Sequence, residues 1–340
     1  MSNPNAPLTP ERILQMAWGY APPLVIEAAI KHRVFDLIDT GPKTVEEVAA
    51  ESGASIRGLR IVMNALVGFQ LLAKGADGRY SLTPESSAFL VSTKPNYRGG
   101  FFKHISGQLL PLWLQLNEVV RTGRPAKAVN REGDGSAFFQ EFVEDILPMS
   151  YPVAQILAKH LGLDRADRPI SVLDLAAGSG VWGIALAEAS PKVTVTAVDW
   201  EGVLPATRRM AEKHGVGDRF RFVAGDLESA DFGTGHGVAT LGHILHSEGE
   251  QRSRRLIKKT FEALAPGGTI AIAEFLVDAD RTGPPSALIF AVNMLVNTDA
   301  GDAFSFEEIA AWLGEAGFVN PRTLDSPGPS PLVLATKAMR

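Results

Sequence analysis

The stretch VLDLAAGSG, residues 172–180, limits what this chain can fold into more than any other. Val172, Leu173 and Leu175 around Asp174 read as a buried parallel strand, and Gly178, Ser179 and Gly180 as a tight turn opening a helix. A bare-backbone turn at the carboxyl end of such a strand is where open α/β sheets bind ligands. The rest of the chain fits the same plan. Strands are expected at 193–199, 219–226, 237–242 and 268–275, alternating with helical stretches. A helix (SFEEIAAWLGEAGF) and two last strands, 319–324 and PLVLATKA, follow as a terminal antiparallel pair. The fold class is therefore α/β, a doubly wound sheet of seven strands.

At 340 residues the chain exceeds what one core usually holds, so two domains are expected. Helices are predicted from Thr9 and Pro10, from Pro22 and Pro23 to about Ile38, over 44–50 and over 55–69. LLAKGADGRYSL then reads as a hairpin turning at Asp77–Gly78. Helix, helix, hairpin is a winged-helix pattern. The expected boundaries are a winged-helix domain at 1–105, linker helices with the loop TGRPAKAVNREGDG at 106–165, and a ligand-binding domain at 166–340.

A net charge of −5 argues against a protein held mainly by nucleic-acid phosphates or acidic lipid. The absence of cysteine excludes disulfides, thiolate nucleophiles and Cys-ligated zinc. MSNPNAPLTPER lacks the layout of a signal peptide, and no apolar run reaches the ~18 residues of a membrane span, so a cytoplasmic protein without a membrane partner is expected. In the helix SIRGLRIVMNALVGF only Arg57 and Arg60 are basic. That composition suits burial at a subunit interface, and hence a homodimer, better than phosphate contact. A winged-helix DNA-binding ligand sensor remains the alternative from another class.

GSGVWG also satisfies the three-glycine dinucleotide pattern, with Asp199 about 20 residues on to hold ribose hydroxyls. Asp174, four residues before Gly178, would repel a pyrophosphate and attract a cationic ligand. S-adenosylmethionine carries an ammonium and a sulfonium, and Asp226 stands where the adenine amino group would be met. Each acid alone could be a helix cap; the three together favour a ligand site.

On these residues the chain resembles the class I S-adenosylmethionine-dependent methyltransferases. Within them it is similar to the small-molecule O-methyltransferases with a winged-helix dimerisation domain, of the hydroxyindole and caffeate type. VLDLAAGSG stands at the family's glycine-rich loop, VDW (Asp199, Trp200) at its ribose acid, GDL (Asp226, Leu227) at its adenine contact, and LAPGGTIAIAE at its proline-glycine turn. Ala176 and Ala177 replace glycines common there. The resemblance implies a Rossmann-like sheet and methyl transfer from S-adenosylmethionine to a hydroxyl of an aromatic or polyketide-like small molecule. It further implies His246 as catalytic base and Glu274 as its orienter.

The Asp-Trp pair that follows this histidine in the family is absent, Ser247 and Glu248 standing there. That leaves room for C-methylation or non-methylating chemistry on the same fold, and for His246 as a structural histidine. His243 faces either the donor or the core. A metal held by His236, His243 and His246 has no carboxylate spaced with them, so none is expected. Trp182 and Trp200 read as packing residues, Trp200 alternatively as a cover for the adenine. Asn293, Met294 and Asn297 repeat at helical spacing and, with Met149 and an apolar wall from Phe101, Phe102 and Trp113, are candidate acceptor contacts. The alternative is a core helix with its Asn side exposed.

Overall fold

The computed structural model describes residues 8–326 and 330–339. The chain divides into two compact units, Met1–Leu110 and Pro111–Arg340.

The first unit runs through α1 (Glu11–Ala17), α2 (Ala21–Lys31), α3 (Val34–Asp39), α4 (Val45–Ser52), α5 (Ile56–Gly68), β1 (Leu72–Lys74), β2 (Tyr80–Leu82) and α6 (Pro84–Phe89). Local chemistry starts α4 and α5: Thr44 and Glu47 form a reciprocal capping box, and the Ser55 hydroxyl accepts from the Gly58 amide at 3.0 Å. β1 and β2 pair antiparallel, Leu72 opposite Leu82, as the hairpin pattern implies. Phe35, Met63, Leu66, Leu72 and Tyr80 fill the core beneath them, and the partly buried Phe102 packs against it.

Two helical expectations need correction. The helix expected to run from Pro22 to Ile38 is broken where Arg33 takes a left-handed conformation (φ 58°), and the cap of α1 is Pro10 with no side-chain acceptor rather than Thr9. A third correction concerns hydropathy. The segment Glu11–Lys31 is by length and composition apolar enough to cross a membrane, and 11% of its apolar window is buried. The chain turns between α1 and α2, and Ile13, Leu14, Met16, Trp18 and Tyr20 all stand exposed.

The second unit opens with α7 (Leu110–Trp113), α8 (Leu116–Thr122) and the 29-residue α9 (Glu132–His160), which begins inside the expected loop and takes Gly133 and Gly135 into its first turns. The sheet strands are β3 (Ile170–Leu175), β4 (Val193–Asp199), β5 (Phe220–Ala224), β6 (His236–Gly242), β7 (Leu264–Ala273), β8 (Phe318–Leu324) and β9 (Leu332–Lys337). They lie in the order β5-β4-β3-β6-β7-β9-β8. β3 pairs in parallel with both β4 and β6, and β9 runs antiparallel between β7 and β8. The expected sheet and its antiparallel end are therefore present.

Helices α10 (Val181–Ala189), α11 (Leu204–Lys213), α12 (Leu245–Ala263), α13 (Pro285–Asn297) and α14 (Phe306–Ala316) complete the unit. One apolar cluster packs α9 and α10 against the sheet through Leu157, Ile184 and Val172, and another packs α12 and α14 through Ile257, Leu313 and Leu173. Strand order reverses at β3, with β4 and β5 on one side of it and β6 and β7 on the other, so the crevice for a ligand opens beyond the carboxyl ends of the parallel strands β3 and β6. β5 and β7 end before Asp226 and Glu274, which places both acids just beyond their strands.

Candidate active site

The turn after β3 is built as its glycines require. Ala176, Gly178 and Gly180 take positive φ angles of 51°, 55° and 76°, so Ala176 accepts a conformation that glycine would adopt at less cost. At Gly183 helix and sheet nearly touch: a Cβ there would stand 2.7 Å from Val195 Cγ1. The Gly183 amide donates to Asp174 Oδ2 at 3.0 Å and Thr240 Oγ1 donates to Asp174 Oδ1 at 2.7 Å. Asp174 is 0% exposed, and burial pushes its carboxyl up to about 7. Its oxygens tie the start of α10 to β3 and β6.

Asp199, at the end of β4, takes the Gly178 amide on Oδ2 and the Trp200 amide on Oδ1, both at 2.7 Å. Burial raises it to about 6, against the lowering effect of those amides. Gly178 and Asp199 are therefore one hydrogen-bonded unit. Trp200 rests on α9, where a Cβ on Gly135 would meet its ring at 2.4 Å, with Phe139 6.3 Å away. Val143 of the same helix reaches Gly178. Sequence periodicity missed this cover of Gly135, Phe139 and Val143, because the glycines of EGDG read as loop.

Asp226 follows β5 half-exposed. Its oxygens accept from Arg252 Nη2 at 3.1 and 3.2 Å and from the Glu228 amide at 2.9 Å. Arg252, on α12, also pairs with Glu228 and Glu248. Leu227 is buried against Phe232. Bare backbone at 178–180, an acid held against it and a second acid one strand further out fit a molecule with an amino-acid end, a ribose and an adenine.

Past the switch point, His246 stands on the first turn of α12 and is 8% exposed. Its Nδ1 meets Glu274 Oε2 at 2.6 Å, and its backbone amide donates to Glu274 Oε1 at 3.3 Å. Burial opposes the charge on Glu274, but His246 and His243 outweigh it and hold the carboxyl below its ordinary value. With Nδ1 committed, Nε2 is the nitrogen left to take a proton. Phe290 of α13 meets the His246 ring edge-to-face at 4.8 Å and stacks on Phe275 at 4.0 Å.

His243, just beyond β6, has a left-handed backbone (φ 61°) and a ring 5.3 Å from Phe275 and 6.2 Å from His246. Burial lowers its pKa to about 4. The reading that no carboxylate accompanies the histidines is corrected here. Ligand atoms of His243, His246 and Glu274 lie within 4.8 Å of one another, whereas His236 is bound to Ser171 and Phe232 elsewhere. Each oxygen of Glu274 has a contact with His246, one through the backbone amide and one through Nδ1.

Of the candidate acceptor contacts, Asn293 accepts from Trp113 Nε1 at 2.9 Å, and Asn297 donates back to the Asn293 carbonyl at 2.8 Å. Asn297 is 4% exposed and Met294 is buried, so the Asn side of α13 faces inward. Met149 stands 50% exposed on α9. Trp182 is buried, packed across Gly242.

Residues 14–92 match the O-methyltransferase dimerisation domain and residues 152–319 the O-methyltransferase domain. The 3-hydroxy-5-methyl-1-naphthoate 3-O-methyltransferase of Streptomyces sahachiroi is 30% identical over 336 residues, 97% of this chain and 96% of that protein. PigF of Serratia, an S-adenosyl-L-methionine-dependent methyl transferase, is 27% identical over 337 residues, 97% of each chain. The structure of PigF with S-adenosylhomocysteine superposes with a TM-score of 0.80 at 25% identity, over 97% of this chain and 100% of that one. A structure from Nostoc punctiforme described as a candidate O-methyltransferase superposes with a TM-score of 0.89 at 28% identity, covering 98% of this chain and 100% of that one. With its sheet, its glycine turn and these matches along nearly its whole length, the chain belongs to the S-adenosylmethionine-dependent O-methyltransferases of small molecules.

Proposed function

We propose that this enzyme methylates a hydroxyl of an aromatic or polyketide-like acceptor, with His246 as general base and Glu274 as its orienter, and that it works as a homodimer. The observation that carries the reading is the 2.6 Å contact between His246 Nδ1 and the buried Glu274, placed beside the sheet's switch point. The stacked Phe275–Phe290 pair favours a flat acceptor, in keeping with the naphthoate named for the Streptomyces relative. The exposed apolar residues of α1 and the turn after it, within a dimerisation domain, favour a second copy as their cover.

Gly178, Gly180, Asp199, Trp200, Asp226 and Leu227 are the residues assigned to the donor, Asp174 supporting them from behind. Bound there, S-adenosylmethionine would supply a sulfonium-activated methyl group to the acceptor hydroxyl and leave as S-adenosylhomocysteine. His246 Nε2 takes the hydroxyl proton, Glu274 holds the ring to that angle and stabilises the imidazolium, and the aromatic pair excludes water. Glu248 cannot replace the missing acid of the Asp-Trp pair, since Arg252 holds it.

Replacing His246 by Ala is expected to lower turnover by about 10²–10⁴-fold, the range for a positioned base. Calorimetric affinity for S-adenosylhomocysteine should stay within about twofold, a negligible free-energy change. Equal loss of both would show that His246 holds the donor, and an unchanged rate would remove it from the mechanism.

A further inference from the structure

His243 is held with unusual firmness for a residue with no assigned task. Its left-handed backbone is one that a side chain of this size adopts at a cost. Its amide is fixed to the Ala273 carbonyl at 2.9 Å, and its ring packs on Phe275. Yet Nδ1 is buried with no hydrogen-bond partner among the described residues. An unpaired buried polar atom costs about 1–3 kcal/mol, and such an atom in a native site calls for a ligand, an ion or a water. The oxygens of Glu274 turn to the His246 amide and Nδ1 instead. A histidine nitrogen here lies within 4.8 Å of one on His246, a spacing that two oxygens on one edge of an aromatic ring can bridge with a hydrogen bond to each. Because burial holds its pKa near 4, the imidazole stays neutral at working pH and offers one donor and one acceptor.

We propose that His243 Nδ1 binds a second oxygen of the acceptor, on the same ring edge as the hydroxyl that His246 deprotonates. The preferred substrates are then aromatic rings bearing a hydroxyl beside a carbonyl, carboxylate or second hydroxyl. The inference rests on the proposed acceptor site and deepens it by naming what the acceptor must carry. It also assigns His243, which sequence reasoning left between the donor and the core, to the acceptor, as a recognition residue that takes no part in bond making.

The test is calorimetric binding of three probes to the enzyme loaded with S-adenosylhomocysteine. The probes are 2-naphthol, 3-hydroxy-2-naphthoate and 6-hydroxy-2-naphthoate, whose carboxylate sits on the far edge. The wild type is expected to bind 3-hydroxy-2-naphthoate at least about tenfold more tightly than either other probe, as one hydrogen bond to a charged oxygen implies. His243→Phe should reduce that advantage to below about threefold with S-adenosylhomocysteine affinity unchanged. His243→Asn tolerates the left-handed backbone, keeps an N–H and secures a folded comparison; its preference should fall between the two.

No preference in the wild type, no binding of any probe, or a preference retained by both variants overturns the proposal. Loss of S-adenosylhomocysteine affinity in the variants would return His243 to the donor. Stoichiometric Zn²⁺ binding by the wild type that His243→Phe abolishes would make Nδ1 a metal ligand instead. Because the readout is binding, failure of His246 as base leaves this result standing, and a failed preference leaves the base test intact.

Discussion

Asp199 serves two ends that pull against each other. In the proposed donor site it accepts from ribose hydroxyls, which favours the ionised form, while burial pushes its carboxyl up to about 6 from an ordinary 3.8. The folded state therefore holds this proton more tightly than the unfolded one. The group's contribution to stability is full below pH 3.8 and is lost as pH rises through about 6. Donor affinity runs the other way. S-adenosylhomocysteine affinity should weaken on acidification through pH 6, whereas Asp199→Asn should bind weakly at every pH; a wild-type curve flat down to pH 5 would contradict this. Asp174 has a different task. Asp174→Ala strands a buried amide and a hydroxyl, and an expected loss of about 1–3 kcal/mol in denaturant unfolding checks it. The strand-end acids were legible because each closes an apolar run that is bounded by turn residues. Two of their partners were not: Thr240 and Arg252 are brought to Asp174 and Asp226 by packing between elements distant in the chain.

Among the elements, α12 has the most to lose. Its first turn carries His246, and the helix is interrupted at Gly249, whose φ is 72° and whose Cβ would stand 2.4 Å from the Ala300 carbonyl. Gly249→Ala should destabilise the protein by about 1–3 kcal/mol, the scale of one strained backbone position. It should also slow turnover with donor affinity kept, as His246 shifts off Glu274; unaltered unfolding would refute the reading. The strands were readable because their apolar runs are long and bounded by turn residues, and β4 has the expected limits, 193–199. The break at Arg33 carries no glycine or proline to announce it. α9 does the opposite, running through Gly133, Gly135, Pro148 and Pro152, since tertiary contacts with Trp200 and Gly178 outweigh local preference.

At the scale of the whole molecule, the proposed homodimer can be struck at one place. Leu14 and Trp18 stand 59% and 67% exposed at and just beyond α1. Charges there should dissociate the pair: light scattering of Leu14→Asp with Trp18→Asp is expected to give the monomer mass, where the unaltered chain gives twice that. A monomeric wild type would end the proposal.

Arg252 spans a greater distance in consequence than in ångströms. One guanidinium grips Asp226, at the adenine end of the donor seat, and Glu248, two residues beyond His246. In the proposed site, a nucleoside drawing on Asp226 would compete for the cation that also holds Glu248, on the turn that carries His246. The enzyme is expected to load its two ligands in sequence, nucleoside first. Steady-state product inhibition by S-adenosylhomocysteine should be competitive against the donor and mixed against the acceptor, and a random-order pattern would show that the two seats fill without regard to each other.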